Sequence, residues 1–312
     1  MASDYSLKKL REEFKKKGVF YTPDALGKFI LSKIEIMPEE VYDPTCGRGN
    51  LLNIFPDNVK KYGQEIDPVA ADDAREDLTN ADIRVGNTLY NDCFIGKKFS
   101  LIVANPPFSI SYDPTFIQSE DGRFEDLPCF PPKSKADYLF IYHILAKLQD
   151  NGTAYVLEFP GILYRGQREG ILRTRLVEMN YIDQIYQIPK GMFTDTNIST
   201  VLLVLKKNRG NKDSIHMEDL ELGLSRDVTI DEIAENDFTL SINTYVYKED
   251  IRPEVNPIEL HEKCHEASLN AFRISLRSEA LSCMMEGLDM DQLLEDYQRV
   301  LNECKEKGIN FE

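Results

Sequence analysis

The 312-residue sequence predicts an α/β fold: a mainly parallel sheet with helices on both faces, plus a C-terminal helical extension. Three observations predict it. Between residues 40 and 206, short strand-like stretches alternate with helical ones, the pattern of strand–helix–strand units. Val201-Leu202-Leu203-Val204-Leu205 is apolar at every position, as a central strand covered on both faces should be. With 42% hydrophobic and 29% charged residues, the composition is that of a folded domain; it excludes a disordered chain and a fibre.

In order, residues 4–17 read as a short charged helix ending at Gly18. Pro23 opens a helix to about Ile34, with Leu26, Phe29, Ile30 and Ile34 on one face. Strands are expected at 40–42, 61–65, 83–85, 101–104, 153–159, 182–189 and 200–206. Helices are expected at 51–55, 69–79, 137–147 and 170–178. The loop 109–135 carries four prolines, and a loop of that length inside a compact domain points to function. A polar break at 208–212 divides the chain into domains 1–212 and 213–312. The second begins as a short α+β stretch and ends in two helices, 258–307, separated near Gly287.

The formal net charge of −16 argues against unaided gripping of duplex DNA through a broad basic face. It is unevenly spread. Residues 1–212 hold 28 Lys+Arg against 29 Asp+Glu, whereas 213–312 hold 9 against 24. The first part is therefore almost neutral and the second strongly acidic. The six cysteines form no CxxC pair, the N-terminus is charged, and no run of 18 apolar residues occurs. These features predict a cytoplasmic protein with reduced thiols, no signal peptide and no membrane span.

Two motifs carry chemistry. Asp43-Pro44-Thr45-Cys46-Gly47-Arg48-Gly49-Asn50 stands where a strand should turn into a helix. Its glycines let the backbone approach a ligand, and a helix start would offer unpaired N–H groups. Glu65 ends the next strand, where a carboxylate can accept from both hydroxyls of a ribose. The missing third glycine of GxGxxG argues against a dinucleotide. Asn105-Pro106-Pro107-Phe108 follows the apolar strand 101–104, at the edge where open α/β sheets bind ligands. The prolines stiffen the backbone and remove two donors, leaving the Asn105 side-chain oxygen and the Pro106 carbonyl as acceptors beside the Phe108 ring. That set suits a planar substrate with an exocyclic amine.

In this order the motifs resemble the S-adenosylmethionine-dependent amino-methyltransferases of DNA, whose fold is Rossmann-like. Phe20-Tyr21-Thr22-Pro23, ahead of the Gly-rich loop, narrows the resemblance to the modification (M) subunit of type I restriction–modification systems. Phe159–Gly166, Ile188–Phe193 and Asn197–Thr200 look like the same family, so the match spans residues 18–208. The resemblance implies that domain 1–212 is the catalytic domain. Tyr21, Thr22 and Pro23 would contact the methionine part of S-adenosylmethionine. Asp43, Pro44, Cys46, Gly47, Gly49 and Asn50 would line the cofactor pocket. Glu65 would hold the ribose, with Ile66 and Asn87 at the adenine ring. Asn105, Pro106, Pro107 and Phe108 would receive a flipped adenine of DNA, with Phe193 as a second packing partner. N6 would be methylated directly, without metal or covalent intermediate. A separate specificity subunit would read the DNA sequence, and a restriction subunit is a further expected partner.

The chain departs from the family in three ways. Asn87 stands where an acidic residue is common, only about 17 residues precede the FYTP element, and no sequence-reading domain is recognisable. Two other readings stay open. Asn-Pro-Pro-Phe/Tyr also occurs in methyltransferases acting on RNA guanine N2 or on glutamine of release factors. The chain also reads as an inactive subunit that binds only cofactor or partner. His261-Glu262-Lys263-Cys264-His265 matches the zinc-protease pattern H-E-x-x-H, but no later histidine supplies a third ligand, so solvated histidines are expected there. Arg165, Arg168, Arg173, Arg175, Lys190, Lys206, Lys207 and Arg209 read as either phosphate contacts or ordinary surface.

Overall fold

The computed structural model describes residues 24–117, 122–189, 199–248, 256–287 and 289–306. The expected N-terminal helix, Tyr21–Pro23, Lys190 and Phe193 lie outside the described residues. The chain divides into two compact units, one ending at Lys248 and the other beginning at Glu249.

In the first unit the strands are β1 (Glu40–Asp43), β2 (Lys60–Glu65), β3 (Ala81–Val85), β4 (Phe99–Ala104), β5 (Leu148–Glu158), β6 (Ile182–Ile188), β7 (Thr200–Lys206), β8 (Ser214–Asp219) and β9 (Leu224–Thr229). They form one sheet in the order β3-β2-β1-β4-β5-β7-β6-β8-β9. The five strands from β3 to β5 are mutually parallel. Strand β7 runs antiparallel to both its neighbours, β5 and β6. The boundary expected at residue 212 is corrected here: β8 pairs in parallel with β6 and β9 pairs with β8, so the sheet's hydrogen bonding carries the fold past the polar break. Polar residues at 208–212 mark a surface turn within the unit, not its end.

The two-residue strand period sorts the core onto both faces. On one face Ile102, Ala104, Val156, Val201, Leu203 and Leu205 meet helices α3 (Asp137–Lys147) and α4 (Gln167–Glu178). On the other face Leu101, Val103, Leu157, Leu202 and Val204 meet α1 (Asp24–Lys33) and α2 (Pro68–Asp77). This two-sided covering is why β7 is apolar throughout. Helix α1 buries Leu26 and Ile30, one turn apart. Helix α2 starts at Asp67, whose side chain caps the Val69 N–H, and Ala70, Ala71 and Ala74 let it lie close to the sheet. Two short helices, α5 (Ile230–Glu235) and α6 (Ile242–Tyr245), complete this unit.

Asp183 on β6 is almost wholly buried and faces three cations: Arg209 at 3.1 Å, Lys212 at 3.0 Å and Lys206 at 3.1 Å. Burial alone would raise its pKa, but hydrogen bonds from Lys212, Lys206 and Arg209 outweigh it and lower the carboxyl to about 2. A depressed carboxylate pKa adds stability that is present at neutral pH and lost as pH falls from about 4 toward 2. Asp183→Asn strands a buried guanidinium and is expected to cost about 3–5 kcal/mol at pH 7. Urea unfolding should show this deficit at pH 7 and a smaller one near pH 3; equal midpoints at pH 7 would refute it.

The second unit pairs α7 (Pro257–Glu286) with α8 (Met290–Glu306). Asn256 caps the Ile258 N–H of α7, and Gly287 ends that helix in the left-handed region. Phe272 and Tyr297 meet edge to face at 6.3 Å, and the Tyr297 hydroxyl donates to Glu279. His261 and His265 are exposed on α7, and no group of three or more His, Cys, Asp or Glu suited to a metal occurs among the described residues. No helix among the described residues is long and apolar enough to cross a membrane.

Candidate active site

Strand order positions the site. From β1 the chain first builds outward through β2 and β3, then returns to place β4 on β1's other side. The crevice beyond the carboxyl ends of β1 and β4 is therefore a topological switch point, where open α/β sheets bind ligands. Val41 pairs with Leu101 and Tyr42 with Ile102, so the two motifs, distant in sequence, leave the sheet side by side.

There a cavity of about 270 Å³ is lined by the first motif, by Glu65 and Ile66, by residues 86–90, and by Asn105 and Pro107. Of the expected cofactor residues, Asp43, Pro44, Cys46, Gly47, Asn50, Glu65, Ile66 and Asn87 all line it. Gly49 does not; it shapes the loop. Its φ is +85°, and an added Cβ would stand 2.6 Å from Leu78 Cδ1. Gly47 also has positive φ (+53°), and a Cβ there would meet nothing within 4 Å. Beyond the loop the structure corrects one expectation. In place of a helix over 51–55 there is a single 3₁₀ turn, Leu52–Ile54, because Pro56 follows at once. No α-helix starts at the loop, and the N–H groups of Thr45, Cys46, Gly47 and Gly49 bond within the chain.

Glu65 organises that loop. One carboxylate oxygen accepts from the Gly47 N–H at 2.9 Å, and the other from the Ile66 and Asp67 N–H groups, each at 2.9 Å. A carboxylate has about four lone-pair sites, so acceptor capacity remains for a hydroxyl. Ile66 sits at the rim, 62% exposed. Asp43 is buried, and its carboxyl accepts from the Thr45 N–H at 2.9 Å. Burial, and secondarily the Glu65 charge, push it up to about 7 against the lowering effect of the Thr45 N–H. Asn87 turns its side-chain oxygen to the Leu89 N–H at 3.0 Å, so its amide NH₂ is the group left for a ligand.

Asn105 and Pro107 line the cavity, while Pro106 is buried and Phe108 half-buried outside the lining set. Just after them the Ser109 N–H donates to Asp137 at 3.0 Å, where Ser109 takes a positive φ of 52°. This bond ties the motif's exit to the start of α3. Burial pushes the Asp137 carboxyl up.

Sequence reasoning missed Tyr90, Ile110, Tyr112 and Phe140 as lining residues. The Pro-rich loop was the one signal for Ile110 and Tyr112. Phe140 lies inside an apolar helix and carried none. Several of the basic residues read as either phosphate contacts or ordinary surface are neither. Arg173 donates to the Phe238 and Arg165 carbonyls, each at 2.7 Å; Arg165 pairs with Glu169 at 3.1 Å; Arg209 and Lys206 pair with Asp183. These cations hold the fold together.

Comparison with other proteins agrees with this geometry. The chain is 36% identical over 231 residues to the type I restriction enzyme MpnII methylase subunit of Mycoplasma pneumoniae, covering 65% of this chain and 42% of that one. It is 27% identical over 304 residues to the MjaIX methylase subunit of Methanocaldococcus jannaschii, covering 78% and 54%. It spans about half the length of these curated relatives. Among solved structures, the type I restriction–modification methyltransferase subunit from Streptococcus thermophilus superposes with a TM-score of 0.66 at 27% identity, covering 73% of this chain and 59% of that one. The model of the N-6 DNA methylase family matches residues 2–223, which hold both motifs and all of the sheet except β9. With its motifs brought together at the switch point, the chain belongs to the N-6 DNA methylase family.

Proposed function

We propose that this chain methylates N6 of adenine in DNA with S-adenosylmethionine, as the modification subunit of a type I-like restriction–modification system. The observation that carries the reading is the junction of Asp43–Asn50, Glu65 and Asn105–Pro107 around one cavity. The residues fit the cofactor. Space is open above Gly47, a backbone-anchored carboxylate retains acceptor capacity for ribose hydroxyls, and Ile66 offers an apolar edge for a flat ring. S-adenosylmethionine would supply a methyl group activated on a sulfonium centre.

The chain's own residues would do the rest. Asn105 Oδ1 and the Pro106 carbonyl would accept the two hydrogens of an exocyclic amine. Those bonds pull the nitrogen toward tetrahedral geometry and withdraw its lone pair from the ring, freeing it for attack. Pro106 and Pro107 hold the acceptors without rotational freedom, and the Phe108 ring supplies a stacking face. A base reaches such a pocket only by leaving the duplex.

The chain's acidity argues that DNA grip and sequence reading come from a partner, here a specificity subunit, with a restriction subunit joining the assembly. Incubation with methyl-labelled S-adenosylmethionine and DNA, RNA or protein, with and without that partner, tests the substrate. Label in RNA or protein alone would overturn the proposal.

Asp43 makes cofactor binding pH-dependent. A cationic ligand favours the ionised carboxylate, and in the free protein that form dominates only above about 7. Affinity should therefore rise with pH, by roughly eightfold between pH 6 and 7.5, and the rise should vanish in Asp43→Asn. Calorimetry at both pH values checks it; parallel profiles for the two proteins would exclude Asp43 as the titrating group.

A further inference from the structure

Behind the cavity, a chain of hydrogen bonds connects four separate segments. The Arg123 guanidinium donates to the Thr88 carbonyl at 2.7 Å and to the Leu89 carbonyl at 3.3 Å. It also meets Nδ1 of His143 on α3 at 2.9 Å. Nε2 of His143 lies 3.3 Å from the Tyr42 hydroxyl on β1. The Thr88 hydroxyl closes the circuit by donating to the Pro44 carbonyl. Thr88, Leu89 and Pro44 all line the cavity, whereas Arg123, His143 and Tyr42 do not.

Chemistry settles the direction of these bonds. Guanidinium only donates, so Nδ1 of His143 must accept, which makes the ring neutral with its proton on Nε2, directed at Tyr42. His143 and Tyr42 are fully buried. Burial, then the charges of Arg123 and Lys147, hold the imidazole well below its usual range, in agreement with that tautomer. The ring thus sets the arginine in place, and the arginine gathers two successive carbonyls of the segment after β3. Arg123 comes from the Pro-rich loop that follows Asn105–Phe108, so one side chain joins the substrate-side loop to the wall containing Asn87.

We infer that Arg123, oriented by His143, is a positioning residue that fixes the 86–90 wall for cofactor binding and braces it to the loop following the Asn-Pro-Pro-Phe motif. The inference rests on the cofactor reading proposed above. A lysine at this position keeps the charge but reaches fewer acceptors at once; a methionine keeps only the apolar stem.

The test is calorimetric titration of the full chain with S-adenosylmethionine, for the wild type, Arg123→Lys and Arg123→Met. Expected are a Kd raised about tenfold in Arg123→Met, an intermediate value in Arg123→Lys, and a binding stoichiometry unchanged from the wild type. A residue needed only for folding would lower the stoichiometry and leave Kd alone, and that result overturns the inference, as does a Kd within twofold in the methionine variant. If that variant fails to fold, Arg123→Lys reads the same quantity: a raised Kd supports the inference and a wild-type Kd overturns it. A wild type that binds no S-adenosylmethionine would instead refute the cofactor reading.

Discussion

Asn105→Ala is expected to lower the rate of adenine methylation by about 10²–10³-fold, the usual cost of deleting one preorganised polar group that acts on the reacting centre. Its cofactor affinity should change far less. Asn105 lines the cavity together with Pro107, while the carboxylates proposed for the cofactor, Asp43 and Glu65, come from β1 and β2. The polar acceptor would be lost while the stiff Pro106-Pro107 backbone stays. Comparing genomic adenine methylation in cells carrying the wild-type gene or the Asn105→Ala form measures this directly. Equal methylation at every site would remove Asn105 from the chemistry. A matching loss of S-adenosylmethionine affinity would instead show that the substitution disturbed the pocket.

Glu65→Ala is expected to weaken S-adenosylmethionine binding by about 2–3 kcal/mol, or roughly 30–150-fold. Two losses combine. The ribose hydroxyls lose a charged acceptor, and the N–H groups of Gly47, Ile66 and Asp67 lose the carboxylate that gathers them. Asp43 and Thr88 tie the loop at Thr45 and Pro44, so the substitution should loosen its Gly47 end without unfolding it. Glu65→Gln should fall between the two proteins, because its amide keeps one acceptor oxygen but turns a donor toward backbone donors. Calorimetry gives the numbers; a Glu65→Ala affinity within threefold of the wild type would rule the role out.

Much of this arrangement was legible in the chain. The helix expected at 137–147 and the strand expected at 200–206 have the same limits in the structure. Their signals are local: a long apolar segment with a helical period in one, an unbroken β-branched and leucine run in the other. Asp43–Asn50 and Asn105–Phe108 stood out as short contiguous motifs at strand ends, and the structure brings most of their residues to one cavity with Glu65. The helix expected at 51–55 shrank to one 3₁₀ turn because Pro56 follows it, and local apolar content does not register that stop. The domain boundary at 212 failed for a related reason. Polar composition marks exposure, and an exposed turn inside a sheet looks the same as a linker.

Residue order alone was enough for the strand–helix alternation, the acidic C-terminal third and the two motifs at strand ends, because each depends on neighbours along the chain. Tertiary structure alone decided the rest. The pairing of β1 with β4 brings Asp43 and Asn105 to one crevice. The continuation through β8 and β9 moves the end of the first unit to Lys248. The Arg123–His143–Tyr42 bonds form behind the cavity, and Arg165, Arg173, Lys206 and Arg209, read from sequence as either phosphate contacts or surface, make internal ion pairs and carbonyl contacts. Those features come from contacts between residues far apart in sequence, whose partners are chosen by strand order and burial. A buried arginine and a solvated one are written with the same letter; only the packing around them tells which carbonyls and carboxylates they meet.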